Sequence, residues 1–159
     1  MAVHDIAYVE LYTRDKVSAL DYLVSAMGFT RVADSVEFDR SSVLLRQGEV
    51  QLIVTSGRGI WTFLDEHGDG VADIALICDD VRTTSDAATA AGATVTTFAK
   101  RGPVVSGVGD VCHTLLPADD SATGLPVGRN WVVAPGAPMR PTGRIQRLDH
   151  VAVCLEGAA

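Results

Sequence analysis

The chain has 159 residues, 47% of them hydrophobic, and a formal net charge of -7. This length and composition predict a single globular domain with a substantial core. The acidic balance and the lack of any run of Lys and Arg argue against nucleic acid and anionic membrane as partners, because both require a concentrated basic face. We expect a cytoplasmic protein, since the N-terminus has no signal-peptide pattern and no apolar stretch approaches the roughly 20 residues that cross a bilayer.

The three cysteines lie in apolar runs of strand-like composition and show no Cys-x-x-Cys spacing: Cys78, Cys112 and Cys154. An odd number of cysteines in such runs favours buried, reduced thiols over metal or redox roles. We therefore expect the cysteines to serve packing.

The first third of the chain predicts a strand, a helix and three further strands. Residues 6–13 alternate apolar and polar side chains, which is typical of a half-buried strand. In the following helix Asp15 can cap the N-terminus and Gly28 can end the C-terminus. The predicted packing face of that helix has spacings of three and four residues: Val17, Leu20, Val24 and Met27. The three strands are predicted at 29–34, 42–47 and 50–55, with a tight turn at 47–49 between the last two.

The same order then returns. A strand at 73–78 precedes a helix at 81–91, which Asp79 or Asp80 can cap and Gly92 can end. Strands are predicted at 94–98, 103–108 and 111–116. A shift of about 65 residues lays one opening strand on the other, which indicates an internal repeat. We therefore predict an α+β fold of two βαβββ modules with curved mixed sheets, at about 1–56 and 71–118, that form a small-molecule cleft.

Residues 119–144 are rich in Gly and Pro and predict a linker or an arm that wraps a sheet edge. Residues 148–155 then repeat the pattern of the two opening strands, and the sequence stops before a helix can follow. We expect a longer protein in which residues 145–159 begin a second domain. The alternative is that this segment pairs with an existing sheet edge.

Few residues suit metal chemistry. His150, at the centre of the third opening strand, could be a ligand for Fe(II) or Zn(II), but no other residue in the chain completes a site around it. The cleft of the two complete modules would take ligands from Tyr8 or Glu10, Asp73, Gln51, and His113 or Thr114. Of these, Asp73 and His113 could contribute, but structural roles explain both, and Tyr8, Gln51 and Thr114 are weak ligands. We expect no catalytic residue and no metal of its own in this chain.

The run Glu66-His67-Gly68-Asp69-Gly70-Val71 places a histidine and an aspartate beside glycines, as in some metal or phosphate loops. It lacks the Gly-Lys-Ser/Thr ending of a P-loop, and turns before a strand are sufficient to explain the glycines. Trp61, Phe63 and Leu64 precede this run and are interpreted as a packing face.

Four segments, in order, resemble landmarks of the 4-hydroxyphenylpyruvate dioxygenase and hydroxymandelate synthase family. They are RQG at 46–48, HGDGVADIA at 67–75, GDVCHTL at 109–115 and LDHVAV at 148–153. The family belongs to the vicinal oxygen chelate superfamily, whose fold is shared by glyoxalases and bleomycin-resistance proteins. The chain departs from the family at 125–128, where LPVG stands in place of a Leu-Pro-Gly-Phe element. This departure leaves open an altered substrate.

The resemblance implies that the two modules are a non-catalytic N-terminal half, and that a C-terminal half binds Fe(II) through two histidines and a glutamate. His150 would be the first of these ligands, and the others would lie beyond Ala159. The intact protein would act on an aromatic 2-oxo acid such as 4-hydroxyphenylpyruvate and on dioxygen, by oxidative decarboxylation and hydroxylation. The product would be homogentisate or hydroxymandelate, and we expect a homo-oligomer, as a dimer.

Two other functions stay open on the sequence. One is a stand-alone, metal-free protein that binds a small molecule, similar to bleomycin-resistance proteins. The other is a single-domain metal enzyme similar to glyoxalase, which the weak ligands Tyr8, Gln51 and Thr114 disfavour. The Asp149-His150 pair in a third opening strand favours the dioxygenase.

Overall fold

The computed structural model describes residues 3–118 and 124–154. The first module consists of strand β1 (Val3–Tyr12), helix α1 (Lys16–Asp21) with a π-helical turn (Tyr22–Ala26), and strands β2 (Thr30–Val36), β3 (Ser41–Gln47) and β4 (Val50–Ser56). A short 3-10 turn (Arg58–Ile60) and helix α2 (Trp61–His67) lead to the second module. That module has β5 (Gly70–Cys78), α3 (Val81–Ala90), β6 (Val95–Phe98), β7 (Gly102–Ser106) and β8 (Cys112–Pro117). The predicted α+β repeat is confirmed.

A single sheet joins both modules. Its strand order is β6-β7-β8-β5-β1-β4-β3-β2, and β9 (Val132–Val133) follows β2 at the edge. Within each module the opening strand pairs in parallel with the closing strand, β1 with β4 and β5 with β8. The two opening strands pair antiparallel at the centre, where Glu10 lies opposite Asp73. The repeat therefore brings its two halves together along β1 and β5.

Both repeated helices begin as the sequence predicts. The Asp15 carboxylate accepts a hydrogen bond from the Ser18 amide, and Asp80 accepts one from the Thr83 amide, each at 3.0 Å. These bonds satisfy amides that have no partner within the helix. Hydrogen bonds from the Ser18 hydroxyl and amide lower the pKa of Asp15, and those from the Thr83 amide and hydroxyl lower the pKa of Asp80. Of the two predicted caps for α3, Asp80 is the one used.

The predicted packing face of the first helix is wrong in part. Val17 is 79% exposed, and Val24 and Met27 are also exposed. The residues that pack on the sheet are Ala19, Leu20 and Leu23. After Asp21 the helix widens into the π turn, where the Met27 amide bonds to the Tyr22 carbonyl at 3.2 Å, so a periodicity of 3.6 residues no longer predicts the side that faces the core. Val17 precedes this turn and lies on the solvent side of the first helical turn.

The arm after residue 123 wraps the first module. Val132 and Val133 extend the sheet beyond β2, and Ile145 and Leu148 pack on the core cluster around Leu45. The tight turn after β3 holds the arm through two backbone bonds, from the Gly48 amide to the Pro141 carbonyl at 2.8 Å and from the Glu49 amide to the Gln146 carbonyl at 2.7 Å. In the described residues, the arm therefore lies along the edge of the sheet and against the turn after β3.

The strand predicted at 148–155 is wrong for residues 148–154, which belong to no strand. Strand patterning alone does not fix this segment, because a strand also needs a neighbour that accepts and donates its backbone bonds. The last residue of the predicted strand lies outside the described residues. Within the described parts, no helix is long and apolar enough to cross a membrane.

Candidate functional site

Two buried carboxylates lie where β1 and β5 join the modules, the place at which the sequence predicts the cleft. Glu10 on β1 and Asp73 on β5 lie directly opposite each other and have 0% and 1% of their surface exposed. The hydroxyl group of Tyr8 donates to the Asp73 carboxylate at 3.3 Å. Burying two neighbouring anions costs several kcal/mol per ion, of the order of magnitude given for ions in protein interiors, unless cations and hydrogen bonds compensate.

Three further groups donate hydrogen bonds to Asp73. The amide and the hydroxyl group of Thr114 donate to its two oxygens at 2.9 and 2.6 Å. The guanidinium group of Arg101, which follows β6, donates to the same carboxylate at 2.9 Å. Asp73 therefore has little capacity left to coordinate a metal ion.

Arg129, which lies in the arm, forms an ion pair with Glu10. One guanidinium nitrogen donates to both carboxylate oxygens, at 2.7 and 2.6 Å, and the Thr55 hydroxyl donates to one of them at 2.7 Å. The side chain of Arg129 is only 7% exposed, and its guanidinium carbon lies 5.7 Å from the centre of the Trp131 ring, within the range of a cation-π contact. Arg101 adds a longer contact to Glu10 at 3.4 Å.

The formal charges of the cleft sum to zero, since Arg101 and Arg129 balance Glu10 and Asp73. The charges of this cluster shift the pKa of neighbouring side chains. Burial, followed by the charge of Asp73, raises the pKa of Tyr8, and burial with the charge of Glu10 raises the pKa of Tyr12 to about 12. Burial opposes the charged form of Arg101, but the adjoining Tyr8, Glu10 and Asp73 raise its pKa overall.

This arrangement does not fit a divalent metal ion. A cation at the cleft centre would have to displace the guanidinium groups that already bind both carboxylates, and their positive charge repels it. The cleft can therefore act as a rigid, neutral centre between the modules.

The predicted cleft residues are only partly brought together. Tyr8, Asp73 and Thr114 contact one another, whereas Gln51 lines the adjoining cavity beside Tyr8 and binds Arg46 at 2.7 and 2.9 Å. His113 faces the opposite side of the sheet, because neighbouring residues of a strand alternate in direction. Its ring lies 3.1 Å from the Ile74 carbonyl, in a groove below α3.

The two arginines were missed by the sequence interpretation. Both stand next to a glycine in segments without strand or helix pattern, where an arginine is usually solvated. The available signal was the presence of two acidic residues, Glu10 and Asp73, within apolar strands, since buried acids require nearby cations.

His150 is not part of a metal site among the described residues. Its side chain is 78% exposed and hydrogen bonds to the neighbouring Asp149 carboxylate at 2.8 Å, which lowers the pKa of that carboxyl group. Within residues 3–118 and 124–154, the group of His, Cys, Asp and Glu side chains close enough to share an ion is Glu66, His67 and Asp110. An iron site at His150 would therefore need ligands from outside this set.

The two candidate ligands of the glycine-rich run at 66–71, His67 and Asp69, contact different parts of the chain. Asp69 accepts bonds from the Thr13 hydroxyl at 2.5 Å and from the Arg14 amide at 3.0 Å, and so fastens the start of β5 to the end of β1. The packing interpretation is confirmed for Leu64, which is buried, and for Phe63, whose ring meets Tyr12 edge-on at 5.2 Å. Trp61 is exposed instead.

A cavity of about 320 Å³ adjoins the cleft under the start of the arm. Its lining includes Tyr8, Gln51, Leu116 and residues 124–126. The polar side chains in this lining are already engaged, Tyr8 with Asp73 and Gln51 with Arg46 and the Ala7 carbonyl.

Comparison with known proteins agrees with this geometry. The family described as hydroxyphenylpyruvate dioxygenase, N-terminal, matches residues 1–120. The chain belongs to this family. The resemblance drawn from the four sequence segments is thereby confirmed, together with the fold of the vicinal oxygen chelate superfamily.

A 4-hydroxyphenylpyruvate dioxygenase from Aspergillus fumigatus is 27% identical over 177 residues, which cover 90% of this chain and 44% of the relative. Among solved structures, a triple mutant of 4-hydroxymandelate synthase from Streptomyces coelicolor superposes with a TM-score of 0.79 at 37% identity, over 89% of this chain and 45% of that one. A methylmalonyl-CoA epimerase from Mycobacterium tuberculosis shares the fold alone, with a TM-score of 0.61, 17% identity, and coverage of 72% of this chain and 88% of its own. The chain thus spans less than half the length of the first two relatives.

Proposed function

We propose that this chain is the supporting, non-catalytic N-terminal half of a non-haem Fe(II) dioxygenase. The intact protein would convert 4-hydroxyphenylpyruvate, or a similar aromatic 2-oxo acid, with dioxygen to hydroxymandelate or homogentisate. It would be a cytoplasmic homo-oligomer, a dimer in the simplest case. The relatives named 4-hydroxyphenylpyruvate dioxygenase and 4-hydroxymandelate synthase, which are about twice as long, support this proposal.

The non-catalytic role is supported by the two arginine side chains that occupy the cleft. In a fold whose cleft could hold a metal and a substrate, Arg101 and Arg129 bind both buried carboxylates here. The same contacts tie the second module and the arm to β1, so the cluster is a structural centre. Catalysis would belong to a second domain that begins near residue 145.

The residues of this chain would contribute one ligand to that domain. Fe(II) bound by His150 and by two ligands from beyond Ala159 would supply the activation of dioxygen. The turn after β3 holds Gln146 through the Glu49 amide, only four positions before His150, and Gln47 holds the Ile145 amide at 3.1 Å. The first module would therefore fix the point from which the ligand-bearing segment starts.

Anaerobic calorimetry with Fe(II) tests this proposal on two proteins, the present chain and the same chain extended through the sequence that follows Ala159. We expect one iron per extended chain, lost in His150→Ala, and turnover of 4-hydroxyphenylpyruvate by the extended protein alone. The proposal fails if the present chain binds iron tightly and loses it in Asp73→Ala or His113→Ala but not in His150→Ala. It also fails if neither protein binds iron.

The second candidate is a metal-free protein that binds a small molecule, and the cavity of about 320 Å³ is the observation in its favour, since ligand pockets begin at roughly 300 Å³. The engaged polar lining disfavours it. Calorimetry of this chain with 4-hydroxyphenylpyruvate separates the two candidates: saturable binding, weakened by Tyr8→Phe, would favour the binding protein.

A further inference from the structure

A second cluster of titratable side chains lies on the surface, where the end of α2 meets the turn between β7 and β8. His67 is the last residue of α2, and its Nε2 atom lies 2.7 Å from a carboxylate oxygen of Asp110. Glu66 places a carboxylate oxygen 3.8 Å from the same nitrogen. The three potential ligand atoms all lie within 4.8 Å of one another.

The surrounding residues hold this cluster in place. The Phe63 ring lies against the His67 imidazole, with ring centres 4.8 Å apart, and packs in turn on Tyr12. Asp110 is the residue other than glycine that has a positive φ, 63°, among the described parts of the chain. Such a conformation costs on the order of 1–3 kcal/mol and persists where neighbouring contacts compensate it. Imidazole and carboxylate are therefore oriented toward each other before any ion arrives.

The other histidines of the chain provide the comparison. His4 pairs with Asp79, and His150 pairs with Asp149, each with a single carboxylate among the described residues. His113 meets a backbone carbonyl. His67 alone among them has two carboxylates within reach, so a simple ion pair does not account for the whole cluster.

We propose that Glu66, His67 and Asp110 bind a divalent transition metal ion, with Zn²⁺ the preferred one and water completing the coordination. Imidazole nitrogen and carboxylate oxygen are both ligands of Zn²⁺, at bond lengths of roughly 2.0–2.2 Å. Ligand atoms arranged tetrahedrally at such distances lie about 3.3 Å apart, so the His67 and Asp110 atoms need to separate by about half an ångström and the Glu66 oxygen needs to approach His67 by about as much. Mg²⁺ and Ca²⁺ prefer all-oxygen sites and should bind weakly.

The bound ion would link the connection between the modules to the second module, because α2 precedes β5 and the turn at Asp110 precedes β8. It would therefore raise the stability of the folded chain. This inference is independent of iron at His150, which uses a different residue and a different part of the chain.

Calorimetric titration of this chain with Zn²⁺ at neutral pH tests the site. The exposed Cys154 is first replaced by Ser, because a free thiol also binds zinc. We expect one ion per chain and a higher melting temperature with Zn²⁺ than with Mg²⁺. In that background His67→Gln and Asp110→Asn should each weaken binding at least about tenfold, and Glu66→Gln less, as expected for loss of a ligand or of a supporting group.

His4→Gln is the matched control, since it removes a histidine that has one carboxylate partner. It should leave the Zn²⁺ affinity unchanged. All the substituted side chains are exposed, so the variants should fold, which circular dichroism verifies. The proposal is overturned if Zn²⁺ shows no saturable binding up to about 1 mM, or if the control weakens binding as much as His67→Gln does.

Discussion

Arg129 reaches from the Gly- and Pro-rich arm into the cleft and donates to both oxygens of Glu10. Removal of one partner of a buried ion pair leaves the other charge without compensation, which typically costs about 3–5 kcal/mol. We therefore expect Arg129→Ala to lower the free energy of unfolding by about that amount, measured by urea denaturation.

The exposed pair of Arg31 and Asp34 supplies the control. Arg31→Ala should cost no more than about 1 kcal/mol, because water already solvates both of its charges. Equal effects of Arg129→Ala and Arg31→Ala would contradict the role assigned to the buried cluster.

The thiol of Cys112 makes the stability of the folded chain depend on pH in the alkaline range. Burial, followed by the charge of Asp73, raises the pKa of its thiol to about 12. In the unfolded chain a thiol loses its proton near pH 8.5, so above about that pH the unfolded state binds fewer protons than the folded state. Stability is therefore fully present below about pH 8.5 and falls as the pH rises toward 12.

Urea denaturation at a series of alkaline pH values measures this loss. Cys112→Ser keeps a polar group that can donate to the Ala72 carbonyl but does not ionise in this range, so its stability should decline less steeply. Tyr12, with a pKa of about 12, contributes in the same direction above pH 10 in both proteins. Identical pH profiles for the chain and for Cys112→Ser would show that the thiol has the same pKa in the folded and unfolded states and would contradict this prediction.

The turn between β3 and β4 packs closely against the arm. Gly48 has a φ of 58°, and a Cβ atom at this position would lie 2.6 Å from the Gln146 carbonyl oxygen. Gly48→Ala should therefore be strained in its own backbone and should also push the arm away. We expect a loss of stability beyond the roughly 1 kcal/mol of a left-handed alanine, and faster amide hydrogen exchange at Ile145.

Gly136→Ala separates these two effects. Gly136 has a φ of 70°, and no atom lies within 4 Å of the position that its Cβ would take. This variant should therefore show the backbone strain without the displacement of residues 141–148. If it accelerates exchange at Ile145 as much as Gly48→Ala does, close packing at the turn is not what holds the arm.

The sequence predicts the repeated elements well, because their signals are local. Alternation marks the strands, and Asp15 and Asp80 mark the helix starts by the bond that each can make to an amide three residues later. It does not predict the π turn after Asp21, since a wider turn leaves no local pattern. Nor does it predict β9, whose two valines become a strand only because β2 offers an open edge.

The candidate site is predictable only in the part that the repeat supplies. Tyr8 and Asp73 occupy equivalent places in the two opening strands, so their meeting at the cleft follows from the duplication. The ion pairs do not follow from it, since Arg101 and Arg129 lie 91 and 119 positions from Glu10 and reach it only when the chain is folded. Local patterns hold no information on such distant partners.

For the molecule as a whole, the arm belongs to the folded unit even though the family match ends at residue 120. It contributes β9, the buried Arg129, and two half-buried apolar side chains that pack against the core of the first module, Ile145 and Leu148. A chain shortened to residues 1–118 would lose all of these contributions at once. We expect its stability to fall by more than about 5 kcal/mol, which is comparable to the whole stability of many domains.

A chain that ends at residue 148 is the matched control, because it keeps every anchor of the arm and lacks only the segment that includes His150. Its melting temperature should stay close to that of the full chain, while residues 1–118 alone should melt far lower or aggregate through the uncovered edge of β2. If the 1–118 chain instead melts with the full chain, the modules are stable by themselves. The arm would then be a passive connection, and the pairing of Arg129 with Glu10 would contribute little to the fold.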